Sequence, residues 1–158
     1  MIELLNARKL TVAALLVVVA LLAVQPSLAH ATPQAVLITA RGSATPTASG
    51  MGDISPSASI YLKGMADLNG GDIQLGQMTG ILQIGPVFYT VTGGQGQTSD
   101  QSTLQLNLQV GGSNSGSLVL QGTVSVSGEG YAVLFVPQQS NLENAYSLWL
   151  HGDLWIHS

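Results

Sequence analysis

Apolar residues stand at every second position in stretch after stretch of this chain, and four of those stretches place a glycine at the centre of the apolar set. The template reads apolar, x, apolar, x, Gly, x, apolar, x, apolar. It centres on Gly64, Gly80, Gly122 and Gly152, with a weaker copy at Gly42. A period of two belongs to an extended strand with one buried face, so each copy predicts a strand. The copies recur at irregular intervals, which excludes a solenoid and leaves one strand type used repeatedly. Glycine weakens a strand, so its repeated use needs a reason. One reason is curvature, since a glycine on the concave face lets a long strand coil and close a barrel. The other is space, since a layer of glycines would leave room in a small barrel for a ligand.

Taken in order, the strands are Val36 to Ala44, Ser59 to Leu68, Ile73 to Ile84, Val87 to Thr92, Thr103 to Val110, Leu118 to Val126, Tyr131 to Val136 and Ser147 to Ser158. In the third, Ile73 and Leu75 are odd while Met78, Leu82 and Ile84 are even, which predicts a one-residue bulge near Gly76. Asn69-Gly70-Gly71-Asp72 predicts a hairpin turn. Residues 42–57 have almost no large apolar side chain and Gly93 to Asp100 have none, so both read as loops. Short turns join neighbouring strands, which favours a meander over a Greek key. The expected fold is all-β: an antiparallel meander of about eight strands, as a barrel or strongly coiled sheet. Residues 58–158 would form this domain, 36–44 its first strand, and 32–57 the weak strand and loop before it.

The N-terminus has a different character. Arg8 and Lys9 precede an uncharged apolar run from Leu10 to Val24, Pro26 ends it, and Ala29-His30-Ala31 supplies small residues for cleavage. That is the anatomy of a secretory signal peptide over residues 1–31. A mature chain beginning at Thr32 is expected outside the cytoplasm or in the cell envelope, and the intact mass of secreted material reads this directly. A mass that still includes Leu10 to Val24 would establish an anchor instead.

Composition removes several function classes. Only 8% of residues are charged and the formal net charge is −4. Without clustered Lys and Arg there is no surface for nucleic acid. With no cysteine there is no disulfide, thiolate metal site or Cys nucleophile. The chain has no Gly-x-Ser-x-Gly, no His-Glu-x-x-His and no P-loop. Gly93-Gly94-Gln95-Gly96 is glycine-rich, but no helix follows to offer amides to a phosphate. No catalytic set, cofactor motif or metal-ligand set is therefore assigned.

The candidate site is the polar face of the last strand: Trp149, His151, Asp153, Trp155 and His157. It holds both tryptophans and two of the three histidines of the chain. Exposed aromatic rings stack on sugars and anchor protein interfaces. The competing reading is that another segment covers this face as a second small core. The expected function is thus a secreted or cell-envelope module, not an enzyme, whose partner is a glycan or a cell-surface protein. A small carrier holding an apolar ligand inside the barrel is the alternative. A membrane-spanning barrel would instead turn its apolar residues outward and its polar ones into the lumen.

Overall fold

The computed structural model describes residues 32–47, 55–69, 72–100, 102–111, 116–136, 141–142 and 146–157, and the predicted signal peptide lies outside them. The described chain is all strand: β1 (Gln34–Pro46), β2 (Ser57–Asn69), β3 (Asp72–Ile84), β4 (Val87–Ser99), β5 (Thr103–Gly111), β6 (Gly116–Ser127), β7 (Gly130–Phe135), β8 (Asn141–Leu142) and β9 (Tyr146–His157). Each long strand pairs antiparallel with the next, and β9 pairs back onto β1, so the sheet closes. The two residues of β8 pair with β6 and β9, as β7 does, and so continue the seventh position of the barrel. The result is a closed eight-stranded antiparallel meander, in which each strand has a neighbour on both sides among the described residues.

The stagger of the barrel follows from the register. A walk straight across the strands from Ala35 passes Met65 and Gly76, steps to Gln95 by extending the Leu75–Gly96 pair one residue, continues through Asn107, Val119, Asn141 and Ser147, and returns to β1 at Thr45. That ten-residue displacement tilts the strands by roughly 40° to the axis, in the range for small barrels.

Alternation places the apolar set inside. Val36, Ile38 and Ala40 of β1, Ile60 and Leu62 of β2, Leu104, Leu106 and Leu108 of β5, and Leu148, Leu150 and Leu154 of β9 are all buried. This arrangement is the inverse of a barrel that faces lipid. Phe135, Leu62, Leu82, Leu104, Leu106, Leu118 and Leu150 are 0% exposed. Side chains with no accessible surface line no void large enough for a water molecule. The middle of the barrel is filled by its own side chains.

The glycines explain how. A Cβ at Gly80, Gly122 or Gly152 would overlap a backbone carbonyl oxygen of the next strand, that of Tyr61, Leu134 or Thr39 respectively. These positions are close approaches of backbone to backbone, where the sheet coils most tightly. At Gly64 the room is taken by the sulfur of Met78, 2.5 Å from where a Cβ would stand. Curvature, not free space, accounts for the repeat.

The expected bulge is present. Lys63 opposes Thr79 and Met65 opposes Gly76, so β3 carries an extra residue there, and Gln77 takes it up with φ 53°. A second bulge at Thr92 shifts β4 against β5, because Val91 opposes Val110 while Gly93 opposes Gln109.

Several expectations are corrected. Gly93 to Ser99 is not a loop but the second half of β4. Its inward positions, Gly94 and Gly96, are occupied from β5 by Leu108 and Leu106. Thr98, the one buried polar residue among those described, accepts a hydrogen bond from the Ile73 amide at 2.8 Å. The Gly42 to Ser57 loop is shorter than expected, because β1 runs on to Pro46 and β2 already begins at Ser57. Leu68 and Val126, expected on the inner face, are exposed, since each lies at the end of its strand beyond the packed interior.

Candidate functional site

The outer surface over β9, β1, β2 and β3 brings the predicted residues together with others the sequence did not single out. The ladders fix their order. Across the strands, His151 stands beside Arg41, Arg41 beside Ser59, and Ser59 beside Gln83. Two residues along, Asp153 stands beside Thr39, Thr39 beside Tyr61, and Tyr61 beside Ile81. Two further along, Trp155 is followed by Leu37, Lys63 and Thr79. Trp149 lies at the opposite end of β9, beside Ser43, and His157 lies beside Ala35. Facing neighbours on adjacent strands are about 5 Å apart and diagonal ones about 7–8 Å.

All five predicted residues are exposed, with Trp149 at 51% and Trp155 at 38%. The described chain does not bury this face. Trp155 is the more protected because its ring lies against Gly130 of β7, where a Cβ would stand 3.1 Å from its Cε3. Half-exposed apolar side chains extend the surface across the strands: Tyr61 at 51%, Ile81 at 50% and Phe88 at 64%. Tyr61 already sat on the polar side of its strand in the sequence pattern. What the sequence could not supply was the register that sets it two strands from Asp153.

Between these side chains runs an open groove of about 640 Å³, lined by Thr39, Arg41, Ser59, Tyr61, Ile81, Gln83, His151 and Asp153, with the inward positions Ala40, Ile60 and Gly152 completing it. His151 and Asp153 are the predicted residues within it. Trp149, Trp155 and His157 lie outside its lining. The tryptophans are six residues apart, which is about 20 Å along a strand. The groove therefore lies between two exposed indoles and has a phenol on its wall.

The groove offers hydroxyls from Thr39, Ser59 and Tyr61, an amide from Gln83, a guanidinium, an imidazole and a carboxylate. Among the described residues, no three of His, Cys, Asp or Glu cluster as a metal site. Comparisons of the chain with known protein families, characterised proteins and solved structures find no match.

Proposed function

We propose that the barrel is a non-enzymatic binding module, secreted or held in the cell envelope, that takes an oligosaccharide across the outer face of β9, β1 and β2. One observation carries the reading: both tryptophans are exposed on the same face as a groove of mixed polar and apolar lining, which meets β9 at His151 and Asp153, between them in sequence. Sugar rings present apolar faces that stack on aromatic rings, and hydroxyls that need paired donors and acceptors. The face supplies both, and the roughly 20 Å between the two tryptophans suits several sugar units better than one. A protein partner is the second reading. It is favoured by the apolar extension through Ile81 and Phe88, since aromatic residues and arginine dominate protein interfaces. The filled interior gives the carrier alternative little support.

Trp149→Ala and Trp155→Ala are each expected to weaken oligosaccharide binding by about 1 kcal/mol or more. Trp149→Ala should leave the thermal melt within about 0.5 kcal/mol of the parent, because the ring is half exposed. Trp155→Ala should cost somewhat more stability, through its lost packing on Gly130. Calorimetric titration of the mature chain with an array of oligosaccharides, beside one melt per variant, checks both. A loss of about 3–5 kcal/mol of stability at Trp149 would mark a buried core residue and remove the site.

A further inference from the structure

The cationic side chains of the barrel are not spread over its surface. Of the four Lys and Arg in the chain, Arg8 and Lys9 belong to the predicted leader. The other two, Arg41 and Lys63, both lie on the candidate face. Each is exposed, and neither is held in an ion pair among the described residues. They flank the Tyr61 ring. Lys63 is two residues along the same strand, about 6–7 Å away. Arg41 is diagonal to Tyr61 across the β1–β2 ladder, about 7–8 Å away. The His151 ring stands beside Arg41 in register. The described acids are placed otherwise. Asp72, Asp100 and Glu129 lie at strand ends or turns, and Asp67 lies near the end of β2. Only Asp153 reaches the groove. A chain of net charge −4 thus sets both of its described cations, exposed and without ion pairs, on either side of Tyr61, with Arg41 lining the groove and Lys63 just outside its lining.

We infer that the oligosaccharide is an acidic one, whose carboxylates meet Arg41 and Lys63 while a sugar ring stacks on Tyr61. The inference rests on the oligosaccharide reading above and sharpens it to a ligand class. The guanidinium of Arg41 matches a carboxylate in a planar, two-point geometry, and Lys63 supplies a point charge on the other side of the ring. Asp153 stands in the Thr39–Tyr61 row, where it accepts hydrogen bonds from sugar hydroxyls.

The test compares tetragalacturonate with the neutral oligomers cellotetraose and chitotetraose, titrated calorimetrically into the full mature chain. Tetragalacturonate should bind more tightly than either, and its advantage should fall as salt rises from about 50 mM to about 500 mM. Arg41→Gln and Lys63→Gln should each weaken it by about three- to fivefold, in line with exposed ion pairs, and the double variant by about tenfold. Neither change should alter the melt, and each should weaken the neutral oligomers less than it weakens tetragalacturonate. A neutral oligomer that binds as tightly as tetragalacturonate, with no response to Arg41→Gln, overturns the acidic class and leaves the oligosaccharide reading standing. No binding of any of the three, by a protein with an unchanged melt, overturns both.

Discussion

Phe135→Ala is expected to cost about 3–5 kcal/mol of stability, measured by urea unfolding of the barrel. Phe135 heads the largest fully buried side chains and is 0% exposed. It stands at the end of β7 between Gly122 of β6 and Leu150 of β9. The size of the effect depends on how far the walls can collapse into the space left behind. Here they are held. The strands beside β7 are bonded on both sides in a closed ladder. Gly122 offers no side chain to swing inward, and its strand already approaches β7 as closely as backbone permits. A loss below about 1 kcal/mol would mean that the ring does not lie in the interior.

Gly122→Val tests the opposite fault, overpacking. A Cβ at Gly122 would overlap the carbonyl oxygen of Leu134 and stand 2.8 Å from the Phe135 Cα. Those are backbone atoms, which cannot rotate away as a side-chain tip does. Substitution requires β6 and β7 to part, and ladder bonds weaken as they do. The expected loss is about 3 kcal/mol, the upper end of the usual range for overpacking. Gln121→Val, one residue earlier and on the outward register, should change stability by no more than about 0.5 kcal/mol. Equal effects in a pair of thermal melts would contradict the assignment of inner and outer faces.

The meander and its inner face were legible because the apolar alternation is strong wherever a strand supplies its own core residues. Leu104 to Val110 and Leu148 to Leu154 are the clearest cases. The bulge was legible from the change of parity between Leu75 and Met78. The second half of β4 was not, for a physical reason. Core filling is shared between strands, and Gly94 and Gly96 stand where Leu108 and Leu106 of β5 fill the space. Read alone, such a stretch looks like a loop. The two residues of β8 carry no periodicity that a reader could find. At the site, the polar face of β9 was visible in one strand. Arg41, Tyr61 and Ile81 join it through the β9–β1–β2–β3 register, which depends on closure between the first and last strands, far apart in sequence.

The proposed binding on the outer aromatic face, with the barrel interior left full, has a direct spectroscopic signature. The indole N–H resonances of Trp149 and Trp155 report on that face, and the methyl groups of Leu62, Leu106 and Leu120 report on the interior. In a nuclear magnetic resonance titration with the oligosaccharide that binds best, both indole signals should move while the interior methyls stay in place. Movement of the interior methyls with the indoles unchanged would put the ligand inside the barrel and return the carrier.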